Sequence, residues 1–398
     1  MKQRSFFSKV LSGSLLIAGT TIGAGMLGIP AATAQAGFRP GLGITTLVWL
    51  FMMLTGMMLL EATFWMKERA SFLSIAQKFL GPVGKAATFA LFIFLYVSLM
   101  VAYFAAGVPL FADLLSGLGL TSMTGFLPYL LFGLTFGAIV AIGPRSIDRV
   151  NVILTLGMCA VWVLLMLIGW QYVDSYKLKT QSVLSMWWAT PILFGAFGYH
   201  NIIPSLSTYF HHDKTALRVS LWIGTSIPFI IYSLWQFLII GAVGREAIMA
   251  TSQLGLPITY ALKVITQNPD VMRLGQAFAF LAIVTSTLGV AFSLVDFLAD
   301  GLKKKPEGIF RWGLCVFIFG LPMLFSYYNP TIFEQALGLA GGFGEALLNG
   351  VMPIAVYYVG RYLMKLNHQV IEFNRMDCAL LMAFALVVMG IEVAQIAF

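Results

Sequence analysis

The chain has 398 residues, of which 59% are hydrophobic and only 10% are charged. This composition excludes a soluble globular domain, in which about a quarter of the residues are charged. The formal net charge of +8 comes from the loops between apolar segments, so no nucleic acid partner is expected. Apolar runs recur along the whole length, which predicts one transmembrane domain over residues 1–398, surrounded by membrane lipid.

The hydrophobic pattern predicts about eleven membrane-spanning helices, each near the roughly 20 residues that cross the hydrocarbon core. In chain order the predicted spans are 10–37, 41–64, 86–111, 124–143, 150–171, 187–209, 217–243, 272–300, 309–327, 331–361 and 378–397. With a cytoplasmic N-terminus, 18 of the 24 Lys and Arg lie on the cytoplasmic side, and this excess predicts that orientation. The odd number of spans then puts the C-terminus in the periplasm.

A glycine-rich stretch interrupts the first span: Gly19-Thr-Thr-Ile-Gly-Ala-Gly-Met-Leu-Gly-Ile-Pro30. Glycine costs about 1 kcal/mol in a helix interior, and a free backbone amide in hydrocarbon costs several kcal/mol. We therefore expect an unwound backbone that lines a cavity. Free amides of Ala24 and Gly25 would face a substrate carboxylate, and the free carbonyl of Thr21 would face an ammonium group. Close helix packing through the same glycines is the alternative.

The sixth span carries a second irregular stretch, Pro191-Ile-Leu-Phe-Gly-Ala-Phe-Gly-Tyr-His-Asn-Ile-Ile-Pro-Ser205. Two interrupted spans at corresponding positions are typical of transporters built as five-plus-five inverted repeats, with the binding site at mid-membrane. The pattern predicts a first repeat over 10–171, a second over 187–361, and one extra helix over 378–397. A kinked but continuous helix is the alternative for either span, because Gly and Pro are common in membrane helices.

The chain resembles the bacterial hydroxy/aromatic amino acid permeases, and within them the tyrosine-specific branch, in the signatures of the first, sixth and eighth helices. The matching stretches are Ile17-Ala-Gly-Thr-Thr-Ile-Gly-Ala-Gly-Met-Leu-Gly-Ile-Pro30, Phe197-Gly-Tyr-His-Asn-Ile-Ile-Pro-Ser205 and Thr285-Ser-Thr-Leu-Gly-Val-Ala-Phe-Ser-Leu-Val-Asp-Phe-Leu-Ala-Asp300. The resemblance implies an all-α symporter with the LeuT-like inverted-repeat fold of the amino acid/polyamine/organocation superfamily. It also implies import of tyrosine, or next tryptophan, with protons across the bacterial inner membrane. A monomer without a cofactor is expected.

An aromatic substrate needs an apolar slot, which the aromatic and small residues of the sixth span are suited to form. Core packing is the alternative, because the chain has 33 Phe. His200, at membrane depth, is a candidate for proton transfer, and a histidine bonded to the irregular backbone is the alternative. Tyr103 either closes over the carboxylate or packs in the core. The residues predicted to bind substrate are Thr20, Thr21, Gly23, Ala24, Gly25, Tyr103, Phe194, Ala196, Phe197, Tyr199 and His200.

The coupling ion is expected to be a proton, with sodium as the alternative. Thr285 and Ser286 resemble the hydroxyls that complete a sodium site in sodium-coupled relatives, although such hydroxyls also bond to their own helix. The lysine that some proton-coupled relatives carry in the fifth span is missing here, and Glu345, in the glycine-rich middle of the tenth span, is a candidate proton carrier. The residues predicted to take part in coupling are Gly19, Ile22, Ala282, Thr285, Ser286, His200 and Glu345.

Two other classes of membrane protein are not expected. An enzyme would need convergent titratable residues, which the four histidines, three of them between His200 and His212, do not provide. A channel would need a continuous polar or charged lining, and the predicted spans contain few charges. The remaining alternative is a sodium-coupled symporter of another neutral amino acid.

Overall fold

A computed structural model of the chain describes residues 6–66, 70–117, 119–120, 124–179, 182–368 and 370–397. Within these ranges the protein is helical and contains no β-strand. The helices, numbered in chain order, are α1 (Phe6–Thr21), α2 (Gly25–Ala34), α3 (Phe38–Phe64), α4 (Phe72–Gly117), α5 (Leu127–Ile142), α6 (Pro144–Gly169), α7 (Thr190–Ala196), α8 (Ile203–Tyr209), α9 (Lys214–Val243), α10 (Arg245–Gln253), α11 (Thr259–Thr266), α12 (Pro269–Gly301), α13 (Gly308–Tyr328), α14 (Phe333–Leu339), α15 (Met352–Tyr358) and α16 (Arg375–Ala397). Two π-helical segments, Ala340–Val351 and Val359–Leu363, flank α15.

Eight of the described helical segments are long and apolar enough to cross a bilayer, and α1 with α2, bent by 62°, forms a ninth span. The shorter apolar helix α5 and the interrupted segment from α7 to α8 occupy the positions of the predicted fourth and sixth spans. The predicted all-helical membrane fold, with interruptions in the first and the sixth span, is therefore confirmed. Spans are numbered one to eleven in this order below.

Most predicted boundaries differ from the observed ones by only a few residues, and glycine and proline explain the largest differences. Span five begins at Pro144 and not near 150, because Gly143, with a φ of 129°, ends α5, and the proline starts α6. In α4, Gly81 has a φ of 72°, which only glycine adopts readily. It turns a short helix that begins at Phe72 into span three.

Span ten departs from a regular α-helix in its middle. Residues Ala340–Val351 are π-helical, a rare form that is frequent at functional sites. A Cβ atom on Gly341 would overlap the carbonyl oxygen of Pro191, and Gly195 lies against the same glycine. Glycines therefore allow the backbone of span ten to contact the backbone of α7.

Candidate functional site

The interruption of span one lies between Thr21, where α1 ends, and Gly25, where α2 begins. The amide of Ala24 donates a hydrogen bond to Oγ of Ser286 over 2.8 Å, so a side chain of span eight satisfies a donor that the break leaves without a helical partner. A Cβ atom on Gly23 would overlap the same Oγ. Span eight can approach the break this closely only because residue 23 has no side chain.

The interruption of span six lies between Ala196, where α7 ends, and Ile203, where α8 begins. Gly198 lies in this irregular part, and a Cβ atom there would overlap the carboxylate of Glu345. Pro204 lies in the first turn of α8, where its missing N–H costs no helical hydrogen bond. The glycine thus admits a side chain of span ten, and the proline helps to restart the helix.

The two interruptions contact each other. A Cβ atom on Gly25 would lie only 3.1 Å from Cα of Ala196. The hydroxyl of Tyr232, on α9, lies 2.7 Å from the carbonyl oxygen of Thr21 and 2.9 Å from that of Ala196, so the two carbonyls share its one hydrogen. These carbonyls belong to the last residues of α1 and α7, so one buried hydroxyl joins the ends of both half-helices. Tyr232 was not among the predicted site residues, although a single tyrosine at the middle of span seven was a usable signal.

A cavity of about 570 Å³ borders both interruptions, a size within the range of small-molecule sites. Apart from the breaks, its walls come from span one before its break, the first halves and middles of spans three and five, the middle of span seven, the later half of span eight, and the middle of span ten. The walls that lie away from the middle of their spans are on the side of the breaks on which the chain begins. The predicted residues that line the cavity are Gly19, Thr20, Thr21, Ile22, Gly23, Ala24, Gly25, Tyr103, Tyr199, Thr285, Ser286 and Glu345.

Glu345 is the only carboxylate among the described residues that line the cavity, and none of them is Lys, Arg or His. Its Oε2 accepts a hydrogen bond from Nδ2 of Asn349, and no basic nitrogen of the described chain lies within 4.0 Å. The hydroxyl-bearing rings of Tyr96 and Tyr103 lie close to it. A carboxyl at membrane depth without a cationic partner is a candidate proton-binding group. Asn349, four residues after Glu345, was not predicted, although that spacing was visible.

Known proteins resemble the chain over nearly its whole length. It matches the tryptophan/tyrosine permease family over residues 7–392. It is 31% identical to tyrosine-specific transport system 1 of Haemophilus influenzae, with 89% of each chain covered. It is 32% identical to a tryptophan-specific transport protein of Pseudomonas aeruginosa, with 83% of this chain and 82% of the relative covered. The chain belongs to the tryptophan/tyrosine permease family. This permease is therefore a multi-pass membrane transport protein and not an enzyme.

The permease also resembles a solved structure, the manganese transporter of Eremococcus coleocola in complex with an aromatic bis-isothiourea substituted compound. The TM-score is 0.65 at 15% sequence identity, with 100% of this chain and 88% of that chain covered. At this identity the similarity concerns the fold alone, which is that of a membrane transporter.

Several predicted residues of the permease are fully buried and do not line the cavity: Phe194, Ala196, Phe197, His200 and Ala282. The ring of Phe194 packs between those of Phe51 and Phe384, at centroid distances of 5.0 and 5.9 Å. The ring of Phe197 meets that of Tyr232 edge-on at 5.1 Å. In this conformation both Phe rings pack against neighbouring helices on the side of the break away from the cavity, which corresponds to the packing alternative. Their contact with substrate stays a prediction.

His200 is also packed away from the cavity. Its Nε2 lies 3.0 Å from Oγ1 of Thr55, and its ring lies 4.6 Å from that of Tyr199. Its Nδ1 is buried and has no hydrogen-bond partner among the described residues. This environment corresponds to the alternative of a histidine held within the helix packing, and proton transfer through His200 stays a prediction.

The hydroxyl of Thr285, at the expected sodium position of the permease, is bonded within its own helix. Its Oγ1 lies 2.9 Å from the carbonyl oxygen of Leu281 and 3.1 Å from that of Ala282, which share its one hydrogen. Among the residues predicted to bind substrate, Oγ1 of Thr21 likewise donates to the carbonyl of Ile17 over 2.8 Å. A donating hydroxyl keeps its oxygen lone pairs, so these bonds are compatible with a cation beside Thr285. Sodium binding stays a prediction.

Proposed function

We propose that this permease imports an aromatic amino acid, tyrosine first and tryptophan next, together with one proton. The observation that carries the proposal is that both interruptions and Glu345 border one cavity. The relatives above are named as tyrosine- and tryptophan-specific, which supports an aromatic substrate. The membrane is then the bacterial inner membrane, with the N-terminus in the cytoplasm and the C-terminus in the periplasm.

The backbone of span one holds the charged head of the substrate in this proposal. Gly25 is the first residue of α2, so its amide belongs to the partly positive end of a helix and is suited to a carboxylate. The amide of Ala24 is already bonded to Ser286, which leaves Gly25 as the principal donor. The carbonyl of Thr21 accepts from Tyr232 but has a second lone pair, which is available to the ammonium group.

The substrate ring extends toward span three. Phe92, Leu99 and Ile231 supply apolar surface in the cavity, and an aromatic contact there adds about 0.5–1.5 kcal/mol beyond burial. Tyr96 and Asn201, which lie next to each other in the same wall, offer hydrogen-bonding groups to the far end of the ring. A phenol and an indole each carry one polar hydrogen, so this wall suits both tyrosine and tryptophan.

The conformation is inward-facing under this proposal, because the cavity lies on the side of the N-terminus. Transport would rock spans one, two, six and seven against the rest of the two repeats, 10–171 and 187–361. Cys159 is exposed and lines the cavity, whereas Cys315 and Cys378 are buried. A membrane-impermeant thiol reagent should therefore label Cys159 from the cytoplasmic side, and bound substrate should slow the labelling. Labelling from the periplasmic side alone would contradict this orientation.

Glu345 is the group to which we assign the transported proton. Its carboxylate lies against Gly198 in the irregular part of span six, so movement of span six changes its surroundings. An ionised carboxylate becomes costly when the cavity closes and water leaves, which makes proton binding accompany closure. Glu345→Gln should therefore abolish accumulation driven by a pH gradient while it preserves exchange of labelled for unlabelled substrate.

Sodium-coupled transport of another neutral amino acid is the second candidate. Thr285 and Ser286 line the cavity beside Gly19 and Ile22, as a sodium site on spans one and eight requires. The permease is also 28% identical to glutamine transporter 2 of Aliivibrio fischeri, with 84% of each chain covered. This relative supports a neutral substrate without an aromatic ring.

Uptake by purified permease in proteoliposomes separates the two candidates. Labelled tyrosine would be offered under an imposed pH gradient or an imposed sodium gradient, with tryptophan, phenylalanine and glutamine as unlabelled competitors. We expect accumulation with the pH gradient only, and competition by tryptophan but not by glutamine. Glu246→Gln, which removes an exposed carboxyl at the start of α10, is the control for Glu345→Gln. Accumulation that requires sodium, or that glutamine blocks most strongly, would contradict the proposal.

A further inference from the structure

The extra helix, α16, carries a second carboxyl into the protein interior. Most of α16 faces outwards, and its few buried residues share one face: Cys378, Ala385, Val388 and Glu392. Glu392 is only 2% exposed, whereas Val393 beside it is 54% exposed. On a helix whose outer face meets lipid, the acid therefore points toward the neighbouring spans, as ionisable residues in membrane helices do.

Two glycines of span ten form the groove that receives Glu392. A Cβ atom on Gly338 would lie 3.0 Å from both carboxylate oxygens, and a Cβ atom on Gly342 would lie 2.6 Å from Cβ of Glu392. A side chain at either position would displace the acid. Gly342 belongs to the π-helical segment that also carries Glu345. The π-helical segment thus contacts the carboxyl of Glu392, and it also carries Glu345, whose own carboxyl lies against Gly198 of span six.

Nothing in the described part of the protein neutralises Glu392. Its Oε2 is buried without a hydrogen-bond partner, and no basic nitrogen of the described residues lies within 4.0 Å. The elements packed against α16 are span ten, α7, the turn before α7 and, through the contact of Phe51 with Phe384, span two. Their charged residues are Arg39, Glu61, Glu334, Glu345 and Arg361. Glu61 accepts from the amides of Val370 and Ile371, and Arg361 is paired with Glu372 at the far end of span ten. The other titratable groups there are tyrosines of α15 and Tyr362.

An ionised carboxylate buried without a partner costs several kcal/mol, so Glu392 carries a proton in this packing. The packing also depends on the transport cycle, because span ten contacts α7 through Gly341 and Gly195. Movement of span six must therefore be followed by span ten or must break that backbone contact. Either change alters the groove between Gly338, Gly342 and the acid.

We propose that Glu392 is a second proton-binding site of the permease, which exchanges its proton with water when span ten moves away from α16. The inference rests on the proposed proton symport and raises its stoichiometry from the one proton assigned to Glu345 to two protons per substrate. The acid releases its proton to water that enters the groove, and it takes a proton back when span ten returns. No other bond is made or broken. The extra helix is then part of the coupling machinery and not only a lipid-facing addition.

The test compares the pH dependence of uptake by the wild type, Glu392→Gln and Glu246→Gln in proteoliposomes that contain a pH-sensitive dye. Glutamine keeps the shape of the side chain and removes the ionisable group, and Glu246 is an exposed acid on the same side of the protein. Uptake of labelled tyrosine or tryptophan falls as the pH rises above the pKa values of the groups that must be protonated. It falls by up to about a hundredfold per pH unit if two protons are needed, and by about tenfold if one is needed. We expect the steeper dependence in the wild type and Glu246→Gln, and the shallower one in Glu392→Gln.

Two failures are distinguishable. If substrate moves without protons in the wild type, the proposed symport fails and this inference fails with it. If the wild type moves protons but Glu392→Gln keeps the wild-type pH dependence, the symport stands and the second site is wrong. Should Glu392→Gln not reach the membrane, Glu392→Asp decides. Its shorter side chain withdraws the carboxyl from Gly338, so a shifted pH profile supports the site and an unchanged profile overturns it.

Discussion

Span one and span six are both interrupted at mid-membrane, but they present different groups to the cavity. Span one lines it with every residue from Gly19 to Gly25, three of which are glycines that leave the backbone accessible. Span six contributes Gly198, Tyr199 and Asn201 but turns Phe194 and Phe197 into the core. The difference favours the proposal that the break of span one binds the charged head of the substrate, while span six contributes mainly packing against the core and against span ten.

The largest expected effect is that of Gly25→Leu, which tests whether the two breaks must stay in contact. A Cβ atom at this position would lie 3.1 Å from Cα of Ala196, so a leucine forces the breaks apart and covers the amide of Gly25. We expect loss of uptake per molecule of permease in the membrane. Gly43→Leu in span two, where an added Cβ meets no atom within 4 Å, is the control that should transport normally. Normal uptake by Gly25→Leu would refute the assignment of the substrate head to span one.

The next effect, in order of size, is that of Tyr232→Phe, which removes the hydroxyl shared by both breaks. The carbonyls of Thr21 and Ala196 would lose the one buried donor that they share, at a cost of about 1–3 kcal/mol. If about 1.4 kcal/mol of this cost falls on one conformation only, the transport rate drops about tenfold. Uptake kinetics, with rate and apparent affinity measured separately, check this expectation.

The control for Tyr232→Phe is Tyr357→Phe. Tyr357 is equally buried, and its hydroxyl accepts a hydrogen bond from the amide of Phe373 over 2.9 Å, far along span ten from the breaks. We expect this variant to lose thermal stability but to keep the transport rate of each folded molecule. Equal loss of transport in both variants would mean that Tyr232 stabilises the fold without linking the two breaks.

Local sequence predicted the existence of both breaks but not the direction in which each one faces. Glycines and prolines near 19–30 and 191–205 disfavour a continuous helix whatever surrounds them, so both interruptions were predictable. Whether Phe194 faces substrate or core depends on Phe51 and Phe384, which come from distant spans. The roles of Tyr232 and Glu392 likewise depend on neighbours that only the folded chain supplies.

Phe194→Leu sharpens the comparison from the side of span six, with a smaller effect. Because the ring packs against Phe51 and Phe384, its loss should cost about 1 kcal/mol of stability and leave the preference between tyrosine and tryptophan unchanged. Phe92→Leu, which alters a ring that lines the cavity, should change that preference. The ratio of inhibition by the two amino acids measures both outcomes. A changed ratio in Phe194→Leu would mean that this ring reaches the substrate in another conformation.

The smallest expected effect concerns the ion pair between the start of span one and the residues that follow span six. Nζ of Lys9, in α1, lies 2.8 Å from Oδ2 of Asp213, which follows span six and caps α9 by accepting from the amide of Ala216. The hydrogen bonds from Lys9 and from Ala216 lower the pKa of the Asp213 carboxyl. A lowered pKa in the folded protein means that the stabilisation is complete above the ordinary Asp pKa of about 3.9 and disappears as the pH falls through the lowered value.

Asp213→Asn keeps a good helix cap and removes only the charge, so it isolates the ion pair. The pair is partly exposed and contributes at most about 1 kcal/mol. We expect a slightly lower Tm than the wild type at neutral pH, with a difference that shrinks below about pH 4 and at high salt. Thermal unfolding of the purified permease over this pH range provides the measurement. A difference that persists at acidic pH would mean that the asparagine perturbs packing, and the two broken spans would then be joined only at their breaks.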